Sequence, residues 1–443
     1  MIGITSNLHC IYNTIIIDKH KYKYKYRYFM QLDKKIKRVV ILGAGFGGVN
    51  LYRSLHKLVH GDKDWEFVII SDNNYFLFTP LIHEVATGSL FPEDLVFPIR
   101  ENFSCCVREV IVDKVISIDA YKKNVILKNE KISFDYLVIS TGASVNYWGI
   151  EGALENSIPL YDIKDAIKLK NNLISVFEKA NEVKQKSIKI VIVGGGATGI
   201  ELATEIVEFV ERMKPFYENL KILDTKIKVE ILNSSTKFIP NFPDKVRKKI
   251  LSILSREDND LSILLDSKVM KVDSSSVYLL DKRKLDYDLL VWAAGVKPNT
   301  PKINIDSVKT DERIKVDKYF NIKPFKNIFA IGDVADFKDI NGNSLPQFAQ
   351  IAEEEGKICA ENIYRISKKL PPISFEYKGK GLLLSLGRNN AIVSLKNVIF
   401  TGKTAWILWK FIYLGLMFGK GTRLRVFSQW IINSLSPRNI SKI

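Results

Sequence analysis

Through most of its length the chain alternates short apolar runs with stretches in which apolar residues recur every three or four positions. This is the pattern of strands interleaved with helices. Residues 38–42, Arg-Val-Val-Ile-Leu, form an apolar run that leads into Gly43-x-Gly45-x-x-Gly48. Val49, Leu51, Leu55, Leu58 and Val59 follow at roughly helical spacing, and a second apolar run covers Phe67–Ile70. Residues 187–199 repeat the arrangement with Gly194, Gly196 and Gly199. Ile200, Ala203, Ile206, Val207 and Val210 then keep helical spacing, and Ile227–Leu232 form the next run. Each segment predicts strand, glycine loop, helix and strand, the setting in which this glycine pattern binds a dinucleotide.

The chemistry of the pattern lies in the glycines. The first allows a tight turn after the strand, the second lets a pyrophosphate approach the backbone, and the third lets helix and sheet pack closely. The helix N-terminus then offers free N–H groups and a partial positive charge to the phosphates. One such motif is weak evidence, whereas two copies in the right setting are strong. Two further apolar runs, 135–142 ending in Thr141-Gly142 and 288–295 ending in Ala294-Gly295, resemble each other. Such segments suit a chain passing back and forth between two nucleotide domains. A last run, 327–333, ends in Gly332-Asp333. A carboxylate there lies where open α/β sheets bind ligands; the alternative is a turn or helix-cap residue.

Length and charge refine this picture. At 443 residues, the chain is too long for one ordinary core and predicts two or three domains. Residues 1–38 carry a net +7 and residues 371–443 a net +10, so the ends hold the whole net charge of +17. A neutral middle argues against a nucleic-acid-binding core; basic ends suit an anionic surface, membrane or nucleic acid, and the alternative is an ordinary solvated surface. No run of eighteen apolar residues predicts a spanning helix. The four cysteines, Cys10, Cys105, Cys106 and Cys359, include no Cys-x-x-Cys pair, and no metal site is expected. Residues 1–29 contain a Lys/Tyr alternation from Lys21 to Tyr28, read as strand or disorder, and translation is expected to begin at Met30.

Two fingerprints, two strand-plus-glycine segments and a late Ile-Gly-Asp resemble the two-dinucleotide-binding-domain flavoproteins. Within that superfamily, residues 75–90, Ala349-Gln350-Ile351-Ala352, 385–389 and Trp406-x-x-Trp409 are similar to type II NADH:quinone oxidoreductases. The resemblance covers about residues 36–435. It implies an α/β fold with two Rossmann-like domains and a C-terminal amphipathic membrane-associating region. The implied plan is a basic extension over 1–35 and an FAD-binding domain in two parts, 36–150 and 285–370. An NAD(P)H-binding domain fills 151–284, and 371–443 anchors to the membrane. The implied activity is hydride transfer from NADH to FAD and then reduction of a membrane quinone, ubiquinone or menaquinone, without proton pumping. The implied location is peripheral, on the cytoplasmic face of a cell inner membrane or on a mitochondrial inner membrane. A homodimer through the C-terminal region is a further expectation.

Carried over residue by residue, the resemblance gives FAD to Gly43, Gly45, Gly48, Ser71, Asp72, Pro80, Thr141, Gly142, Asp333 and Ala349. The nicotinamide cofactor falls to Gly194, Gly196, Thr198, Gly199, Asn233, Ala294 and Gly295. Asp333 is expected at the flavin ribityl chain. Glu201, Gln350 and Glu354 are the expected catalytic residues, with Glu201 near the nicotinamide–flavin junction; the alternative is a charge in the first helical turn. Disulfide reductases of the superfamily carry a redox cysteine pair that this chain lacks, so electrons must pass to an acceptor that diffuses in.

Three departures bear on specificity. Ser71, followed by Asp72, replaces the acidic residue that ends the second strand of the first unit, and Asn233 replaces it in the second. A carboxylate at that place accepts from ribose hydroxyls and repels a 2′-phosphate. NADH is favoured, with NADPH left open. Glu354 stands where a glutamine is expected, and an ionised carboxylate cannot donate to a quinone carbonyl. Either Glu354 is protonated in a dry site, or Gln350 does the positioning, or the acceptor differs; the plainer reading makes 353–355 a solvated helix face.

The C-terminal region predicts an interfacial anchor. Trp406–Phe418 is apolar apart from Lys410, and Leu424, Phe427, Ile431 and Leu435 share a helix face. Trp406, Trp409 and Trp430 are expected at the headgroup boundary. The alternative is a helical cap or dimer interface buried by protein. Two rival functions follow: a soluble NAD(P)H reductase using oxygen or a small electron-transfer protein, and a flavoprotein that mainly binds partners through its basic ends.

Overall fold

The computed structural model describes residues 36–103, 107–240, 242–254, 260–395, 398–435, 438 and 441–442. The Lys/Tyr alternation, the expected start at Met30, and Cys10, Cys105 and Cys106 lie outside them.

Strand β1 (Lys37–Leu42) runs through the Gly43 turn into α1 (Phe46–Val59), and β2 (Trp65–Ser71) returns parallel to β1. The buried helix α2 (Ile82–Ala86) follows, then β3 (Val107–Val112) and β4 (Tyr136–Ile139). The second unit contains β5 (Ile158–Pro159), α3 (Ile163–Glu182), β6 (Ser187–Val193) and α4 (Ala197–Met213). It continues with β7 (Lys226–Leu232), β8 (Leu261–Leu264) and β9 (Leu289–Trp292). Its sheet is parallel, in the order β5-β9-β6-β7-β8. Strand β10 (Ile328–Ala330) then rejoins the first sheet, which is parallel in the order β10-β4-β1-β2-β3.

Both faces of the first sheet are apolar, as a parallel sheet covered on both sides requires. Val39, Ile41, Phe67, Ile69 and Val138 face one core; Val40, Leu42, Val68, Ile70, Leu137 and Ile139 face another. The two units are joined where residues Ala143–Val145 pair antiparallel with Val296–Pro298. These pairs follow Thr141-Gly142 and Ala294-Gly295, so the two matching segments do carry the chain out of and back into the first unit.

Helix α5 (Ala349–Ser367) crosses α1 so closely that a Cβ on Gly356 would lie 2.6 Å from the Gly47 carbonyl. The remaining chain, expected as an anchor, contains a sheet as well as helices. Strands β11 (Leu382–Ser385), β12 (Ala391–Leu395) and β13 (Val398–Thr401) form an antiparallel sheet, and helices α6 (Lys403–Leu416) and α7 (Lys420–Leu435) follow. The predicted headgroup tryptophans need correction. Trp409 is 0% exposed and Trp430 6% exposed, both packed into the protein core, which leaves Trp406 the one partly exposed. Trp430 donates its indole N–H to Glu84 at 2.6 Å, pinning α7 to the first unit. No helix among the described residues is long and apolar enough to cross a membrane.

Candidate active site

The first fingerprint forms a cradle. Gly43 adopts φ +93°, and a Cβ there would lie 2.2 Å from the Ser140 carbonyl. A Cβ on Gly48 would lie 2.1 Å from the Gly43 carbonyl. Gly45 differs: a Cβ there would meet nothing within 4 Å, and no side chain caps the helix it begins. Open space in front of uncapped N–H groups fits a pyrophosphate. Ser71 ends β2, with Asp72 exposed beside it. Thr141 is fixed by its hydroxyl, which donates to the Asn299 carbonyl at 2.7 Å. Pro80 lies in the short turn Thr79–Leu81 before α2, and Ala349 opens α5.

Asp333 sits in the turn after β10, where its carbonyl accepts from the Gln347 amide at 3.0 Å. Burial pushes its carboxyl up to about 6, opposed by Arg313. The preceding Gly332 N–H donates to Glu355 at 2.5 Å. Glu355 is 2% exposed, and burial pushes it up to about 8. Sequence reasoning grouped it with its solvated neighbours; the close Gly356 crossing is the feature that turns it inward.

The second cradle repeats the first. Gly194 adopts φ +123°, a Cβ on Gly199 would lie 2.0 Å from the Gly194 carbonyl, and Gly196 faces open space. Thr198 is exposed in the first turn of α4. Asn233 follows β7 directly and is buried against Gly195; its amide donates to the Ser235 carbonyl at 2.6 Å. Ala294 accepts from the Trp148 indole at 2.8 Å, and Gly295 adopts φ +109°.

Residues 381–385 of the C-terminal unit form a wall shared by α4 and α5. Glu201 is buried, and its carboxyl accepts from the Ser385 N–H at 3.0 Å. It therefore acts in a tertiary contact and not as a solvated charge on a helix end. Burial pushes it up to about 8; the Ser385 bond opposes this, and Glu205 and Glu84 add to it. From α5, Gln350 donates to the Gly381 carbonyl at 3.4 Å. Both α4 and α5 thus place a polar side chain on the segment 381–385.

Glu354 is not part of that wall. It pairs with Lys380 at 2.5 Å and Lys357 at 3.1 Å on the outer face of α5. Burial raises its carboxyl, but the two lysines outweigh this and hold it below its ordinary value. A protonated Glu354 in a dry site is thereby corrected to an ionised surface carboxylate. Three buried groups that the sequence did not single out, His83, Glu84 and Glu205, lie beside Glu201, and buried Arg438 pairs with Glu205. Their positions, 83 to 438, carry no local signal that would join them.

Two glycine cradles on parallel sheets, facing a shared wall, define a flavin- and pyridine-nucleotide-dependent oxidoreductase. Residues 37–356 match the pyridine nucleotide-disulphide oxidoreductase family, and 380–439 match the NDH2 C-terminal domain. The chain belongs to that family as a type II NADH:quinone oxidoreductase, and its activity is that of the type. It is 29% identical to a probable NADH dehydrogenase of Dictyostelium discoideum, over 91% of each chain. It is 28% identical to a type II NADH:quinone oxidoreductase of Haemophilus influenzae, over 82% of this chain and 88% of that one. The structure of NDH2 from Plasmodium falciparum in complex with NADH, at 23% identity, superposes with a TM-score of 0.81. It covers 92% of this chain and 100% of that one, and supports the fold.

Proposed function

We propose that the chain performs this reaction as a peripheral membrane enzyme, with FAD in the first cradle and NADH in the second. The observation that carries the reading is the shared wall: Glu201 beside one cradle and Gln350 beside the other both bond to residues 381–385. FAD, when bound, supplies a ring that takes a hydride and passes on two electrons. The protein's part is to hold the nucleotides at their pyrophosphates, with Asp333 at the ribityl chain, and to exclude water from the junction. Gln350, and not Glu354, then orients the quinone, because an amide can donate to a carbonyl and an ionised carboxylate cannot.

Attachment rests on the outer faces of α6 and α7. Ile407, Phe411 and Leu416 are exposed on one, and Leu424, Phe427, Ile431 and Ile432 on the other. Lys403, Lys420 and Arg423 flank them and suit an anionic leaflet. A groove of about 260 Å³ between the helices, lined by Trp406, Ile407, Phe411 and Phe427, gives an apolar quinone tail a path inward.

The coenzyme site carries no carboxylate at Asn233, so nothing there repels a 2′-phosphate. NADH remains the favoured donor, with NADPH accepted more weakly. Steady-state reduction of a short-tail quinone by the purified enzyme tests the reading. NADH-dependent turnover is expected, and an Asn233→Asp variant is expected to lose NADPH activity selectively. Turnover with oxygen but not with quinone would overturn it.

A further inference from the structure

The second sheet runs β5-β9-β6-β7-β8, so the chain leaves β6 toward β7 and β8 on one side and returns to β9 on the other. The order reverses between β6 and β9. An open α/β sheet binds its ligand in the crevice at such a point, beyond the strand ends. The turn after β6 begins at Gly194, where a Cβ would lie 2.3 Å from the Ala293 carbonyl and 2.9 Å from the Ala294 nitrogen. The residues that follow β9 therefore line the second cradle beside its glycine turn. Trp148 is fastened to them. Its indole N–H donates to the Ala294 carbonyl at 2.8 Å, and its Cζ2 lies 3.6 Å from where Gly295 would carry a Cβ.

Trp148 holds this position against local preference. Its φ is +55°, in the left-handed region that bulky side chains rarely adopt. Three further bonds fix its loop. The Asn146 N–H donates to the Gly295 carbonyl at 3.1 Å, and the Trp292 indole donates to the Asn146 carbonyl at 2.8 Å. The Trp148 N–H donates to the Asn146 side-chain oxygen at 2.9 Å. Even so, the ring is 64% exposed. A packing role would bury it, and an ordinary surface residue needs neither the strained backbone nor the bonds. A rigid, open ring is what a stacking platform requires, because its ordering precedes the ligand.

We propose that the Trp148 indole is a stacking platform for the nicotinamide half of the coenzyme. The inference rests on the reading above that the second cradle takes NADH. A dinucleotide straddles the central strand, with its pyrophosphate at the glycine turn. Its adenosine half falls on the β7 side, where Asn233 follows the strand. Its nicotinamide half falls on the β9 side, which is the side that carries Trp148.

An indole face is electron-rich. It holds a neutral dihydronicotinamide by stacking, and the positively charged oxidised ring by cation–π attraction as well. Trp148 acts in binding alone, since no proton or electron passes through it. It also follows directly on Ala143–Val145, the strand that pairs with Val296–Pro298 to join the two units. The platform thus stands on the link between the units.

Calorimetric titration of the oxidised holoenzyme with NAD⁺ and with ADP-ribose, which lacks the nicotinamide ring, tests the platform without turnover. Trp148→Ala is expected to weaken NAD⁺ binding about fivefold or more, the size of one ring stack, and to leave ADP-ribose binding within about twofold. Trp148→Phe keeps a ring without the indole N–H and is expected to recover most of the NAD⁺ affinity. Unchanged NAD⁺ affinity in Trp148→Ala overturns the proposal. An equal loss for both ligands also overturns it, since the indole would then only support the fold. A Trp148→Phe variant as weak as Trp148→Ala overturns it too, because the ring face would then contribute nothing. If the wild-type enzyme binds neither ligand, the coenzyme reading of the second cradle falls and takes this inference with it. Binding of both ligands with no dependence on residue 148 removes the platform alone.

Discussion

The Ser385 amide donates to the Glu201 carboxyl at 3.0 Å, joining α4 to β11, 184 residues later in the chain. That bond sets the first prediction. The folded-state value of Glu201 is raised from 4.5 to about 8, so the folded protein holds a proton that the unfolded chain has lost. Between those values folding takes up a proton, and stability falls as pH rises. Glutamine keeps an acceptor for Ser385 and has no charge to bury. Thermal unfolding from pH 6 to pH 9 should show the wild type losing stability relative to Glu201→Gln.

The glycines of each fingerprint should separate folding from binding. Gly45→Ala and Gly196→Ala enter open space and should fold normally, but lose FAD retention and raise KM for NADH, respectively. Gly48→Ala would place a Cβ 2.1 Å from a carbonyl and should destabilise the protein by about 1–3 kcal/mol or more. Flavin content and denaturant midpoints measured on the same preparations check both.

Arg438 pairs with both Glu205, at 2.8 Å, and Glu208, at 2.9 Å. Its removal takes a buried ion-pair partner from each, although Glu208 keeps Arg212. Arg438→Ala should cost about 3–5 kcal/mol at neutral pH. Combining it with Glu205→Gln and Glu208→Gln should recover much of that loss, and urea unfolding of the set measures it.

The outward faces of α6 and α7 predict where attachment can be broken. Phe427→Ser with Ile431→Ser removes exposed apolar surface and touches neither cradle. Flotation with anionic vesicles should show the variant in the soluble fraction, with flavin reduction by NADH unchanged. Continued flotation would place the attachment elsewhere.

What could be read from the sequence was whatever the local backbone dictates. Gly43, Gly45 and Gly48 announce a turn, an open approach and a close packing within six residues, and the structure supplies all three. Asp333 was legible for the same reason, standing at the end of an apolar strand. Glu354 and Glu355 show the limit. Two adjacent identical residues have opposite fates because Gly356 packs against Gly47 and turns only one of them inward. Trp409 and Trp430 were misplaced because amphipathic helices at a membrane and helices packed on a sheet share one pattern. The Glu84–Glu205–Arg438 cluster was invisible: its members come from three distant segments, and only the fold gives them a common neighbour.

The most direct measurement is anaerobic stopped-flow absorbance of the flavin, with NADH added first and a short-tail quinone second. Bleaching by NADH followed by rapid quinone-dependent recovery is the predicted result. Bleaching without recovery would contradict the account at its centre, leaving a flavin dehydrogenase whose electrons go elsewhere.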